Sequence, residues 1–223
     1  MKKDFLEYVM QFLSDNKQSL FRETVEFRTR YATVVLEDLY QPHNASAVMR
    51  TCDCFGIQDI HVIENRNTWT SSRDVERGSS KWINIHRYNK PGQNNTARCL
   101  QALKEKGYKL AATTPHTEMT LEDLPLDEPI ALIFGTEKGG VSDEVLENSD
   151  YHIKIPMYGF TESFNISVAA AICMHTIREK LNKSEIAWRL SENEKVDVMI
   201  DWCSKTLDRY EKYEKVYRER FKA

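Results

Sequence analysis

Apolar residues recur along the chain with two different spacings. Between residues 31 and 181, short apolar runs alternate with longer segments whose apolar residues recur every three to four positions. The short runs predict strands and the longer segments predict helices. The predicted strands are residues 32–37, 57–64, 82–88, 108–114, 130–134 and 151–156. The predicted helices are residues 45–55, 94–106, 142–148 and 165–181.

The alternation of strand and helix predicts the class of fold. It implies crossover connections and a mostly parallel sheet with helices on both faces, an α/β fold. The run IALIF at residues 130–134 is wholly apolar, which is typical of a central strand buried on both sides. Ligands of such sheets bind beyond the carboxyl ends of the strands, so a site is expected in the loops that follow them.

The two ends of the chain lack strand patterns. Residues 1–30 predict one or two helices that finish in the basic FRTR, and residues 183–223 predict further helices. We therefore expect a central domain at residues 31–182 with helical N- and C-terminal extensions.

Charge and hydropathy limit the possible partners and locations. The net charge is −3, which does not by itself indicate a nucleic-acid partner. Residues 203–223 are locally basic, with seven Lys and Arg against four Asp and Glu. No apolar run approaches the ~18 residues that span a bilayer, and acids interrupt the N-terminus, unlike a signal peptide. We expect a cytoplasmic protein.

Cysteine and histidine do not follow metal-binding patterns. The five cysteines form no Cys-x-x-Cys pair and have no His partner at ligand spacing, so we interpret all five as reduced core residues. The six histidines fit no ligand pattern either. We expect no bound metal.

The loop after IALIF, GTEKGGVSDE, is the first candidate for chemistry. Its glycine spacing is similar to that of a phosphate-binding loop, but Val141 stands where that loop has lysine, and Glu137 adds a negative charge. A neutral or cationic ligand held by close backbone approach suits it better. The alternative, a plain strand-to-helix turn capped by Ser142, stays open.

A second candidate loop lies within YHIKIPMYGFTESFNISVAAAI. Ser163 and Asn165 lead into a helix, and the small residues Ala169 to Ala171 suggest that another backbone packs close to it. Each polar residue is also an ordinary helix cap. The first strand is not followed by Gly-x-Gly-x-x-Gly, so a dinucleotide site is not indicated.

The third candidate is QPHNASAVMRTCDCFGI at residues 41–57. With Asn44 as the predicted cap, the apolar residues of the helix form one stripe, and Arg50 points away from it. A helix N-terminus attracts anions, and an adjacent guanidinium suits the phosphates of a nucleic acid. The alternative is an ordinary solvated arginine.

Taken in chain order, the segment at residues 41–57, the loop after IALIF and the loop before Asn165 resemble the first, second and third motifs of the SpoU–TrmH class of SPOUT RNA 2′-O-methyltransferases. The resemblance covers about residues 31–181. The short helical N-terminus and the helical C-terminal extension look most like the branch that methylates guanosine 18 of tRNA. The resemblance implies a SPOUT fold with a deep C-terminal trefoil knot, homodimers, and S-adenosylmethionine as methyl donor, converted to S-adenosylhomocysteine.

The resemblance also implies roles for individual residues. The family's catalytic positions fall on Asn44, Arg50, Glu137, Ser163 and Asn165. The cofactor would lie against a second set, which comprises Thr113 or Thr114, Gly135, Ile155, Pro156, Met157, Ser163 and Phe164. Phe164 departs from the family, in which leucine is commoner at this position, but a backbone contact should survive that change.

Contacts to RNA are expected from Arg50 and from basic residues nearer the two ends, namely Arg28, Arg30, Arg209 and Lys212. The tail aromatics Tyr210, Tyr213, Tyr217 and Phe221 recur every three to four residues, which favours a packing stripe over a base-stacking platform. Alternatives to the tRNA enzyme are a ribosomal RNA 2′-O-methyltransferase and a catalytically inactive RNA-binding SPOUT protein. A phosphate-binding NTPase is the weakest because of Val141.

Overall fold

The computed structural model describes residues 2–68, 78–136 and 139–220. Its strands are β1 (Ala32–Glu37), β2 (Asp59–Ile63), β3 (Asn84–Tyr88), β4 (Lys109–Thr113), β5 (Ile130–Phe134) and β6 (Tyr151–Ile153). Its helices are α1 (Lys2–Met10), α2 (Asp15–Val25), α3 (Pro42–Cys54), α4 (Asn95–Glu105), α5 (Asp143–Asn148), α6 (Ile166–Asn182), α7 (Glu192–Thr206) and α8 (Tyr210–Arg220).

The described strands form one six-stranded sheet in the order β3-β2-β1-β5-β4-β6. Every pair of neighbouring strands is parallel. All the carboxyl ends therefore lie along one edge, and β1 is adjacent to β5 in the middle of the sheet. The strand predicted at residues 151–156 is too long, because β6 ends at Ile153 and Lys154 makes only an isolated bridge to Thr120.

Helices cover both faces of this sheet, which confirms the predicted α/β class. Val34 and Leu36 point into a core completed by α3 and α6. Val35, between them in β1, points into a second core completed by α4 and α5. This alternation follows from the two-residue period of a strand, and burial on both faces explains why β1 and β5 are apolar almost throughout.

The start of α3 differs from the prediction. The helix begins at Pro42 after Gln41 as cap, so the assignment of Asn44 as cap was wrong. Proline suits the first helical position because its fixed φ is helical and the N–H it lacks has no helical partner there. Asn44 consequently lies in the first turn, where its side chain is available for other contacts.

Two other predicted caps are confirmed. The Ser142 side chain accepts a hydrogen bond from the Val145 N–H and begins α5. The Asn165 side chain accepts one from the Ser167 N–H and begins α6. Each satisfies a backbone donor that a helix leaves without a partner in its first turn.

All five cysteines are free thiols, and four of them are buried. Burial raises the pKa of Cys99, Cys173 and Cys203 to about 12, so these thiols are poor nucleophiles at neutral pH. The prediction was wrong for Cys54, which is exposed near the end of α3. Two positions beyond the buried Cys52, it lies on the opposite side of the helix.

The described residues up to Arg28 form one compact unit with those from Arg189 onward, and residues 29–188 form the other. In the first unit, Trp202 is buried in α7 with Phe21 of α2 against its ring at 5.3 Å. Tyr213 stacks on Phe12 with ring centroids 3.9 Å apart, and Tyr217 lies 5.0 Å from Phe5. The packing interpretation is confirmed for these tyrosines, whereas Phe221 lies outside the described residues.

No described helix is both long enough and apolar enough to cross a membrane. Nowhere in the described ranges do three or more His, Cys, Asp or Glu side chains gather as a metal would require.

Candidate active site

The loop between β5 and α5 folds back tightly on the end of β5. A Cβ added at Gly135 would lie 1.9 Å from the carbonyl oxygen of Gly140 and 2.2 Å from the backbone nitrogen of Val141. The loop is closed by two hydrogen bonds between Thr136 and Gly140, of 2.8 and 2.9 Å from N–H to carbonyl oxygen. Glycine is therefore required at residue 135 because another stretch of backbone occupies the place of a side chain. Glu137 lies outside the described residues, and its role stays a prediction.

Thr113 and Thr114 end β4 beside this loop. The Thr113 hydroxyl donates to the Ile133 carbonyl oxygen of β5 at 2.9 Å. The Thr114 backbone N–H donates to the Ile153 carbonyl oxygen of β6, also at 2.9 Å. Both predicted residues thus lie at the carboxyl edge of the sheet, between the strands that lead into the two glycine-bearing loops.

The loop after β6 presents backbone groups and exposed side chains. Ile155 packs against the core, and Met157 is half-buried. Among the described residues, neither of their N–H groups has an acceptor within the chain. Ser163 and Phe164 are exposed. The role of these residues in holding the cofactor stays a prediction.

The first and third motifs meet through two asparagines. Asn165 donates from Nδ2 to Oδ1 of Asn44 at 3.2 Å, while its own Oδ1 accepts the N–H of Ser167 at 2.9 Å. Asn44 is only 7% exposed, and its Nδ2 donates to Oε1 of Gln41 at 3.3 Å. The contact joins the start of α3 to the start of α6 and holds both amides in one orientation.

Arg50 is exposed on α3, as predicted from the apolar stripe. Val48, Met49 and Cys52 are buried on the side of the helix that faces the core. Arg50 lies six residues after Asn44, a rise of about 9 Å along the helix axis. Its guanidinium is therefore presented at the surface, within two helical turns of the asparagine pair.

The chain matches a known protein family over most of its length. The profile of the SpoU rRNA Methylase family matches residues 31–175, most of the chain and nearly all of its larger unit. This chain belongs to the SpoU rRNA methylase family. The SpoU region thus begins just before β1 and ends within α6, so it includes all six strands and the three candidate loops.

Similar proteins cover nearly the whole chain. A tRNA (guanosine(18)-2′-O)-methyltransferase of Borreliella burgdorferi is 41% identical over 202 residues, which are 90% of each chain. An enzyme of the same name from Thermus thermophilus is 31% identical over 88% of this chain and 100% of its own. The crystal structure of the Aquifex aeolicus TrmH/SpoU tRNA modifying enzyme aligns with a TM-score of 0.76 and 27% identity. That alignment covers 86% of this chain and 98% of the Aquifex chain.

One residue at this edge of the sheet was not predicted from the three motifs. It is Glu37, a buried acid at the end of β1. Glu37 is 5% exposed, and its carboxylate accepts hydrogen bonds from the backbone N–H and the hydroxyl of Ser142, both at 2.8 Å. The available signal was a charged residue that directly follows the apolar run of a buried strand. Because such strands end at the ligand-binding edge, an acid at that position is a candidate for the site.

The predicted RNA contacts occupy different environments. Arg28 is 2% exposed and lies over the Trp202 ring, with its guanidinium carbon 5.2 Å from the ring centroid. Its prediction as an RNA contact is therefore corrected, since a buried guanidinium cannot meet a phosphate. Arg30 donates from Nε to Asp59 at 2.7 Å. Arg209 and Lys212 are exposed and form no ion pair within the described chain.

A group of titratable side chains lies on β2 and β3. The rings of His61 and His86 stack at 4.7 Å, and His86 Nε2 lies 2.9 Å from Asp59. Burial, reinforced by the neighbouring His86, lowers the pKa of His61 to about 3. Although burial acts to raise it, the hydrogen bond to His86 and the charge of Arg30 hold the pKa of Asp59 below its ordinary value. Because these pKa values differ from the ordinary ones, the cluster is expected to make stability depend on pH, and it includes none of the predicted catalytic residues.

Proposed function

We propose that this chain transfers a methyl group from S-adenosylmethionine to a ribose 2′-hydroxyl of tRNA, at guanosine 18. The observation that carries this proposal is the hydrogen bond between Asn44 and Asn165. It connects the loops after β1 and β6, which are far apart in sequence, at the same edge of the sheet as the Gly135 loop. The named relatives with 41% and 31% identity support the choice of tRNA and of guanosine 18.

The residues present fit S-adenosylmethionine. The backbone of Gly140 and Val141 packs so closely against Gly135 that no side chain fits there, and the N–H groups of Ile155 and Met157 have no acceptor within the described chain. Backbone groups of Gly135, Ile155 and Phe164 would hold the cofactor, with Thr113 or Thr114 beside them. The bound cofactor supplies a methyl group on a positively charged sulfur, which makes that methyl susceptible to attack by oxygen.

Arg50 is proposed to grip a phosphate of the substrate and to stabilise the negative charge that develops on the ribose oxygen. Its planar, positively charged guanidinium matches phosphate oxygens in pairs. The 2′-oxygen would gain the methyl group and lose its proton to solvent, and the sulfur would keep the electron pair of the broken carbon–sulfur bond, which gives S-adenosylhomocysteine. The enzyme contributes chiefly by aligning these atoms and by electrostatic stabilisation.

The two asparagines are proposed to orient this reaction. Asn44 is held by Asn165 and Gln41, so its amide is fixed before substrate arrives. A fixed amide can position the ribose or the Arg50 guanidinium without reorganising during the reaction. Ser163, exposed in the loop before α6, and Glu137 complete the proposed catalytic set.

Arg209 and Lys212 are proposed to follow the phosphates of the folded tRNA. Two basic residues further along α8 have acidic neighbours, with Arg218 at 2.6 Å from Glu214 and Lys215 at 3.9 Å from Glu219. The charges of Arg209 and Lys212 have no such neighbour among the described residues and remain available to RNA. On the grounds of the family resemblance, we also propose that the enzyme is a homodimer and acts in the cytoplasm.

One experiment tests the reaction and the substrate together. The purified protein is incubated with methyl-labelled S-adenosylmethionine and either bulk tRNA or ribosomal RNA, and the modified nucleotide is then mapped. Label at the 2′-oxygen of guanosine 18 in tRNA is expected. Label only in ribosomal RNA would support the ribosomal enzyme instead, and cofactor and RNA binding without transfer would support an inactive RNA-binding protein.

A further inference from the structure

Glu37 is a buried carboxylate without a cationic partner in the described chain. It ends β1, is 5% exposed, and forms none of the ion pairs found among the described residues. A buried carboxylate is unfavourable unless hydrogen bonds replace the water it has lost. The position of its hydrogen-bond donors therefore shows what the charge stabilises.

Three donors converge on the Glu37 carboxylate. The Ser142 N–H donates to Oε2 at 2.8 Å, and the hydroxyls of Ser142 and Thr96 both donate to Oε1 at 2.8 Å. The Ser142 hydroxyl also accepts the Val145 N–H, and that of Thr96 accepts from Asn65, so both hydroxyl protons are directed at Glu37. These donors match an ionised carboxylate, which only accepts hydrogen bonds.

Through Ser142, the carboxylate controls the loop that begins at Gly135. Ser142 follows Val141 directly, and the backbone of Gly140 and Val141 fills the space above Gly135. The start of the loop is fixed by β5, and its other end is fixed by the hydrogen bonds from Ser142 to Glu37. A substitution at Glu37 would therefore shift the backbone of Gly140 and Val141 relative to Gly135. Glu37 would act through Ser142 and not by contact with the ligand.

We propose that Glu37 is a positioning residue for methyl-donor binding, holding the backbone of Gly140 and Val141 against Gly135 before the ligand arrives. This inference rests on the proposed function, because the loop is assigned to S-adenosylmethionine there. A loop that is already ordered loses less conformational freedom when it binds, so its affinity is higher than that of a loose loop.

The test is calorimetric titration of S-adenosylmethionine into the full-length protein and its variants. Glu37→Gln preserves the shape of the side chain but puts an N–H where an acceptor is needed. Its dissociation constant should rise about tenfold, the usual effect of losing one hydrogen bond to a charged group. Ser142→Ala removes one of the three donors and should raise the dissociation constant less than Glu37→Gln does. In the double variant the rise should be smaller than the product of the two single effects, because the two residues act through the same hydrogen bonds.

Ile60→Val is the matched control, since it removes one methyl group from the core in β2 and does not touch the loop. It should lower the melting temperature and leave the dissociation constant unchanged. In Glu37→Gln, the Ser142 amide should also exchange with solvent faster than in the wild type, and in the control it should not. An unchanged dissociation constant in both Glu37→Gln and Ser142→Ala would overturn the inference. Failure of the wild type itself to bind the cofactor would instead refute the proposed function, and this inference with it.

Discussion

Asn165 and Asn44, separated by 121 residues, share a hydrogen bond of 3.2 Å between their side-chain amides. Asn165 also begins α6 by accepting the Ser167 N–H, so one side chain both caps a helix and orients a predicted catalytic residue. The two roles use different atoms, Oδ1 for the cap and Nδ2 for Asn44. Substitutions can therefore separate them.

Asn165→Ser should lower kcat by about tenfold, because a hydroxyl is too short to hold the Asn44 amide and misorientation slows an aligned reaction. The melting temperature should barely change, since serine caps helices about as well as asparagine. Single-turnover kinetics and thermal unfolding measure the two effects. Asn94→Ser, the same change at the cap of α4, is the control and should affect neither.

Asn44→Ala should reduce the rate and leave the affinity for S-adenosylmethionine as it is, because Asn44 is proposed to act on the substrate side of the site. Rate and affinity are measured separately, by single-turnover kinetics and by calorimetry. Loss of cofactor binding in this variant would refute the orienting role.

Arg50→Lys should lower the single-turnover rate by about a hundredfold, the typical effect of losing an electrostatic donor that stabilises the transition state. Lysine keeps the positive charge but cannot grip a phosphate through two parallel hydrogen bonds. The rate is measured from pH 7 upward with tRNA in excess. If most of the rate returns at raised pH, the geometry of the guanidinium is not essential and the clamp is disproved. Arg22→Lys, on α2, serves as the control.

Gly135→Ala should destabilise the protein by about 3 kcal/mol or more, since the added methyl group collides with backbone that cannot move aside. The Cβ would lie 1.9 Å from the Gly140 carbonyl oxygen. Gly159→Ala is the matched control, because no atom lies within 4 Å of its added Cβ. The midpoint of urea unfolding should be lower for Gly135→Ala than for the wild type and almost unchanged for Gly159→Ala. Equal midpoints would show that the close crossing at Gly135 is absent.

Stability should fall as the pH is lowered from about 6.5 toward 4, the range in which His61 is protonated only when the chain is unfolded. The pKa of His61 is lowered to about 3 in the folded protein. Between these two pKa values only the unfolded state binds a proton at His61, so acid stabilises the unfolded state. The free energy of unfolding should decline by up to about 1.4 kcal/mol per pH unit from this group. Asp59 adds to the loss only at lower pH, where carboxylates begin to titrate.

His61→Gln should flatten this decline, and His116→Gln, a change at an exposed histidine, should not. Urea titrations at several values between about pH 4.5 and about pH 7 measure how the free energy of unfolding changes with pH. This range includes the ordinary histidine pKa of about 6.5. An identical slope in wild type and His61→Gln would show that His61 is not the group responsible.

Replacing Arg209 and Lys212 together by alanine should weaken tRNA binding and reduce its dependence on salt, by about one counterion for each phosphate contact that is lost. Filter binding at several salt concentrations gives both quantities. The affinity for S-adenosylmethionine should not change, because both residues belong to the smaller unit of the chain and the candidate site lies in the larger one. Lys104→Ala, an exposed site on α4, is the control, and an equal loss there would remove the special role of α8.

The sequence alone was sufficient for the local structure and for the family. Alternation of apolar runs gave all six strands, and local hydrogen-bonding residues gave the caps at Ser142 and Asn165. These features depend on neighbours a few positions away, which the sequence displays directly. The start of α3 was predicted incorrectly because Asn44 and Pro42 both suit a helix start, and the choice depended on what Asn44 contacts elsewhere.

Only the tertiary structure decided which polar residues are buried and what they contact. Arginine usually lies at the surface, and yet Arg28 lies against Trp202. Glu37 ends a strand and accepts hydrogen bonds from Ser142, which is 105 residues away in the sequence. The spacing of apolar residues predicts which side of a helix or strand faces the core, because the periods of helices and strands are fixed. It does not predict which distant segments meet at the sheet edge, since those contacts depend on strand order and on backbone crossings such as that at Gly135.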